Sequence, residues 1–162
     1  MKPVIFGLAG ETVSQEERVL FRACEPAGYI LFGRNIRDRA QLRALTDSLR
    51  EIAGRDDLFI MIDQEGGRVA RMRPPEWPAF PPAGQFAALY DIAPSSAIEA
   101  ARCNARALGA MLAEMGITAN AAPVLDVRQE GASDIVGDRA FGDEPMRVAA
   151  LGRVTLDGLR EG

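Results

Sequence analysis

Strand-like and helix-like segments alternate four times along the chain, and this order restricts the fold more than any other feature. Residues 4–8 form a short apolar run, and Ser14-Gln15-Glu16-Glu17 follows as a capping box for a helix carrying Val19, Leu20 and Phe21 and ending near Gly28. A second strand is expected over 29–32. Asp38, with Gln41 three residues on, caps a helix whose Leu42, Leu45, Leu49 and Ile52 recur at helical spacing until Gly54 stops it. Residues 58–62 read as the third strand. Ser96 and Glu99 form a second capping box, for a helix through Met115 that Gly116 ends; a strand over 117–122 and a last helix over 145–160 complete the pattern.

Strict βα alternation predicts a parallel sheet, either open and doubly wound or part of a (β/α)8 TIM barrel. Two features favour the barrel. No GxGxxG follows the first strand, and polar clusters follow the third and fourth strands at their carboxyl ends, where barrel enzymes hold their chemistry. A complete barrel takes roughly 250 residues. These 162 residues therefore supply about the first four βα units, as part of a single domain over 1–162.

Composition narrows the chemistry. With 48% hydrophobic and 26% charged residues the chain suits a soluble globular domain, and a net charge of −4 without a basic run favours neither nucleic acid nor an anionic membrane as partner. No apolar run reaches transmembrane length and no convincing cleavage site follows the first residues, so the expected location is cytoplasmic. Cys24 and Cys103 lie far apart in helix-like segments and read as reduced thiols. There is no histidine and no CxxC, so neither a transition metal nor another cofactor is expected, and any imidazole chemistry must come from outside these residues.

The first polar cluster is "IDQEGGRVARMR", residues 62–73. Asp63 falls where the third strand ends, so its carboxylate can face a barrel mouth, and Gly66 and Gly67 permit a tight turn. Arg68 and Arg71 share a face if the segment makes a helical turn. An acid opposite a guanidinium suits vicinal hydroxyls or an amide carbonyl, since one accepts and the other donates; a salt bridge that only ties down the loop is the competing reading. The loop over 73–86 holds five prolines and three aromatic residues and reads as a rigid wall, with Trp77 either a sugar-stacking platform or core. The second cluster, residues 120–142, sets Asp126, Arg128, Asp134, Asp138 and Arg139 on a loop longer than a plain connection needs. Its aspartates match no Ca²⁺-loop spacing.

The stretches "GYILFGRNIRDRAQLRALTDSLR", "IDQEGGRVARMR", "FPPAGQFA", "NAAPVLDV" and "VGDRAFGDEP" occur in this order along most of the chain. In them the chain resembles the N-terminal half of glycoside hydrolase family 3 β-N-acetylhexosaminidases, the bacterial cytoplasmic type that recycles peptidoglycan fragments. The resemblance implies a TIM barrel releasing terminal β-linked N-acetylglucosamine, with Asp63, Arg71 and Arg139 holding the sugar. It further implies a carboxylate nucleophile, a glycosyl-enzyme intermediate and a histidine acid/base. That histidine belongs to a "KHFPGHG"-like segment, expected just after "LREG", with the nucleophile further on, so no catalytic residue is expected among these 162. Gly7 stands where relatives often carry an acid. A β-glucosidase or β-xylosidase of the same family, a non-catalytic sugar-binding remnant, and a half-barrel that works only with a partner remain alternatives. Open barrel edges make self-association an expectation for the chain as it stands.

Overall fold

Alternate burial along the apolar runs builds the sheet. In the computed structural model, which describes residues 1–131 and 133–162, strands β1 (Lys2–Gly7), β2 (Pro26–Leu31), β3 (Phe59–Ile62) and β4 (Ala119–Asn120) are all parallel and lie in the order β1-β2-β3-β4. A doubly wound sheet would reverse its strand order at the first strand, placing the third or fourth strand beside it. Sequential order instead fits consecutive staves of a (β/α)8 barrel.

The described residues divide into two compact units interleaved along the chain. The first, Met1–Gln64 with Arg71–Trp77 and Leu112–Ala121, contains the sheet and helices α1 (Gln15–Cys24) and α2 (Arg39–Ala53). On one face of β2 and β3, Tyr29, Leu31, Ile60 and Ile62 are fully buried, and Phe21 of α1 meets Tyr29 edge-on at 4.8 Å and stacks on Phe6 at 5.9 Å. On the other face Ile5 and Phe59 stay 42% and 39% exposed, aligned through Gly28, which pairs with both strands. A Cβ on Gly28 would lie 2.2 Å from the Phe59 carbonyl oxygen. Gly28 is therefore a close-approach position inside a strand rather than a helix stop. The helix ends at Cys24, where Glu25 takes the left-handed conformation and its N–H donates to Phe21 O.

Both helix starts in this unit form as the sequence suggests. Ser14 and Glu17 make a reciprocal capping box, and Asp38 accepts from Gln41 N at 2.8 Å, the bond that most strongly holds its carboxyl below the ordinary range. The apolar stripe of α1 is narrower than expected: Phe21 is buried, whereas Val19 and Leu20 are 61% and 46% exposed. Buried Asn35 joins the loops after β1 and β2, its Nδ2 donating to Leu8 O and Gly10 O while its Oδ1 accepts from Phe32 N. β4 is shorter than the 117–122 expected. The Thr118 hydroxyl, not a backbone carbonyl, accepts Ile60 N–H, and Pro123 has no N–H to extend the ladder.

The second unit, Glu65–Ala70 with Pro78–Met111 and Ala122–Gly162, contains α3 (Ala83–Ile92), most of α4 (Pro94–Glu114) and α5 (Pro145–Glu161). Ala97, Ala101, Phe141, Val148 and Leu151 form its core. α3 lies where the sequence suggested loop as far as Phe86. It begins after Pro82 without any side-chain cap, so no N-terminal signal marks it. α4 begins at Pro94, two residues before the expected Ser96 box, because proline is already set for the first turn of a helix. α4 and α5 meet through glycines: a Cβ on Gly158 would lie 2.4 Å from Arg102 O, and one on Gly109 2.7 Å from Leu159 O. Cys24 and Cys103 carry free thiols. Among the described residues no helix is long and apolar enough to cross a membrane.

The Tyr29 hydroxyl is buried without a hydrogen-bond partner among the described residues, and burial pushes its pKa from 10.0 up to about 12, against a smaller opposing pull from Arg55. Because the folded value is the higher one, Tyr29 binds its proton more tightly in the native state, and this contribution is lost as pH rises through the folded pKa. Stability should fall between about pH 10 and pH 12, by up to about 1.4 kcal/mol per pH unit from this group. Urea midpoints of Tyr29→Phe and the parent protein test it. The variant should match or exceed the parent at neutral pH and lose less at alkaline pH; identical alkaline losses would contradict this account.

Candidate functional site

The exit of β3 turns three consecutive polar residues to different tasks. Ile62 is fully buried, and Asp63 follows with its side chain 25% exposed. Gln64 is 1% exposed, and its amide takes the place of a neighbouring strand: Oε1 accepts from Arg71 N at 2.8 Å and Met72 N at 3.0 Å, and Nε2 donates to Met72 O at 2.9 Å. Asn120, at the end of β4, closes a second ring with the Gln64 backbone through bonds of 3.0 and 2.8 Å. With its backbone held this way, Arg71 donates from Nη2 to Asp63 Oδ2 at 2.8 Å. The Arg71 Nε is buried and has no hydrogen-bond partner among the described residues. One bond from Nη2 uses only part of a carboxylate's accepting capacity, so the pair can still accept and donate toward a polyhydroxylated ligand.

In the second unit, residues 65–70 form a small hairpin rather than the helical turn imagined for Arg68 and Arg71. Gly66 and Val69 bridge antiparallel, and Glu65 N donates to Val69 O at 2.9 Å. Gly66 and Gly67 have φ of +99° and +55°, and Gly67 N donates to Phe80 O. A Cβ on Gly66 would come within 2.4 Å of Pro81 O, so both the backbone angle and the close approach demand glycine. Glu65 holds Arg139 in a two-bond fork, Nε to Oε2 at 2.8 Å and Nη2 to Oε1 at 2.7 Å. The pair lines a cavity of about 40 Å³ whose other walls include Phe86, Leu108 and Phe141. Arg68 pairs with Asp138 at 3.1 Å and donates to the carbonyls of Asp134, Ile135 and Val136.

Asp63 and Arg71 thus meet in the first unit, while Arg139 meets Glu65 in the second. Trp77 is 3% exposed under the Arg39 guanidinium, 5.8 Å from the ring centre, which makes it core and not a stacking platform. Asp126 and Arg128 are exposed, and among the described residues no group of three or more carboxylate, thiol or imidazole side chains could hold a metal. Sequence reasoning missed Gln64 and Glu65 as structural partners of the arginines. The only local hint is an amide set between two acids just before paired glycines.

Sequentially ordered parallel strands, with the Asp63–Arg71 pair just past the carboxyl end of β3, are those of a (β/α)8-barrel protein over its first four strands. The model of the glycosyl hydrolase family 3 N-terminal domain matches residues 5–162, and the chain belongs to that family of glycosidases. A β-hexosaminidase from Alkalilimnicola ehrlichii is 40% identical over 161 residues, covering 98% of this chain and 45% of the relative. One from Aromatoleum aromaticum is 38% identical, with coverage of 98% and 44%. Among solved structures, NagZ from Neisseria gonorrhoeae in complex with N-trifluoroacetyl-D-glucosamine superposes with a TM-score of 0.91 at 31% identity, covering 98% of this chain and 46% of that one. A family 3 β-N-acetylglucosaminidase from Paenibacillus sp. gives 0.86 at 31% identity, with coverage of 97% and 29%. The chain therefore spans less than half the length of these relatives.

Replacing Gln64 by Leu would strand the Arg71 and Met72 amides at a buried position. Stability should drop by about 2–4 kcal/mol, the scale of two unsatisfied buried donors. Equilibrium urea unfolding measures it, and a loss below about 1 kcal/mol would mean that the Gln64 amide bonds are not what holds this segment.

Proposed function

We propose that the chain is the sugar-positioning part of a β-N-acetylglucosaminidase that releases terminal β-linked N-acetylglucosamine from peptidoglycan-derived muropeptides in the cytoplasm, by a retaining mechanism. The observation that carries this reading is the partly buried Asp63–Arg71 pair at the carboxyl end of β3, with a buried Arg71 Nε that lacks a protein partner among the described residues. In this reading Asp63 accepts hydrogen bonds from sugar hydroxyls, Arg71 donates to the same sugar, and Arg139 supplies a further guanidinium contact. The β-hexosaminidase relatives, the N-trifluoroacetylated glucosamine in the gonococcal NagZ structure and the likeness to the Paenibacillus β-N-acetylglucosaminidase support an N-acylated amino sugar. The muropeptide source and the location rest on the motif resemblance. A retaining glycosidase needs a nucleophilic carboxylate and an acid/base on opposite sides of the scissile bond. The chain has no histidine to serve as the acid/base that the resemblance implies, and the resemblance sets the nucleophile further on, so both are assigned to the portion of the enzyme that the relatives' greater length represents.

Assays of the full-length enzyme on chromogenic N-acetylglucosaminide, glucoside and xyloside test the reading. The first should be turned over well and the others poorly; a preference for glucoside or xyloside would refute it. Asp63→Ala should cut kcat/KM by about a hundredfold or more, the scale of one or two charged hydrogen bonds, with little change in Tm. A large fall in Tm with activity retained would reduce Asp63 to a loop tie.

The 162-residue polypeptide by itself should be inactive on the same substrate. It should also self-associate, because β1 and β4 are sheet edges and Ile5 and Phe59 leave apolar surface on one face. Light scattering reads the association, and a monomer that hydrolyses substrate would overturn both statements.

A further inference from the structure

We propose that Glu65 is the positioning residue for Arg139, fixing its guanidinium for an uncharged saccharide group. This rests on the reading above that Arg139 contacts the sugar. An arginine side chain has four rotatable bonds, and a ligand that must order it loses affinity in doing so. Glu65 removes most of that freedom beforehand. Two parallel bonds of 2.7 and 2.8 Å set both the plane of the guanidinium and its rotation within the plane. Glu65 is only 11% exposed and borders the largely apolar 40 Å³ cavity, so the pair is poorly screened by water.

Both ends of the pair are anchored. Glu65 sits on the hairpin whose glycines lie against Pro81 and Pro82, and its own N–H is bonded to Val69 O. Arg139 leaves a turn whose preceding carbonyls, on Asp134, Ile135 and Val136, accept from Arg68, while Asp138 pairs with the same Arg68. The six-residue segment from Glu65 to Ala70 thus grips the arginine through Glu65 and its supporting turn through Arg68. Neutralisation of Arg139 by Glu65 also suits the chemistry of the ligand. A charge-balanced pair donates to a hydroxyl or amide oxygen without favouring a competing anion.

Kinetics of the full-length enzyme on a chromogenic N-acetylglucosaminide test the proposal with Glu65→Gln, Glu65→Ala, Arg139→Ala and the Glu65→Ala/Arg139→Ala double variant, each with its Tm. Glu65→Ala should raise KM about tenfold or more, the scale of a charged hydrogen bond, with a smaller effect on kcat. Glu65→Gln, which keeps one acceptor, should recover part of the loss. The double variant should bind no worse than Arg139→Ala, because Glu65 acts only through that arginine. The proposal is overturned if Glu65 variants lower Tm but leave KM within about twofold while Arg139→Ala raises it, or if the two losses multiply. Failure of Glu65→Gln to fold would likewise assign the pair to the scaffold and overturn it. An unchanged KM in Arg139→Ala would instead remove the sugar contact on which the proposal rests.

Discussion

The arrangement at the exit of β3 depends on one buried side-chain amide. A parallel strand that runs out at its carboxyl end leaves backbone donors and acceptors without a neighbour, and burying them unpaired is costly. Gln64 meets that demand by presenting its own carbonyl and amide to Arg71 and Met72, so the returning segment is bonded to a side chain instead of to a strand. The loop between is thereby released from pairing and free to form the 65–70 hairpin. Without this tie, Arg71 would reach Asp63 from a backbone with no defined position.

Three neighbours in sequence therefore serve separate ends. Asp63 meets Arg71 within the first unit, Gln64 pins the backbone that bears Arg71, and Glu65 meets Arg139 within the second. The burial pattern follows the same division: Asp63 and Arg71 keep about a quarter to a third of their side-chain surface in solvent, whereas Gln64 is sealed. A partly wet ion pair in this position contributes modestly to stability. It sets a carboxylate and a guanidinium side by side at the end of β3.

What could be read from the sequence is what short-range chemistry determines. The Ser14 box, the Asp38 cap and the apolar spacing of α2 each act within a turn or two, and the structure reproduces them. Gly28 misled because glycine serves equally at a helix end and beneath a neighbouring aromatic ring, and only the register with Phe59 decides. α3 escaped notice because its start carries no capping side chain. At the candidate site, the acid and the arginines stood out as residue types in a dense polar run. Their pairing did not, since Glu65 and Arg139 are 74 positions apart and no local rule links them. Trp77 was ambiguous for the same reason, its burial being settled by Arg39 and the surrounding fold.

The glycine contacts between α4 and α5 invert a common rule of protein engineering. Glycine inside a helix costs about 1 kcal/mol relative to alanine, so Gly→Ala changes in helices are among the first tried to raise thermal stability. At Gly109 and Gly158 the added methyl would run into main-chain carbonyl oxygens of the facing helix, which cannot rotate aside as a side chain would. Separating the two axes to admit it would forfeit the dispersion contacts along the seam. A consensus or propensity-guided stabilisation of this chain should leave both positions untouched and seek its gains on the outer surfaces of the same helices.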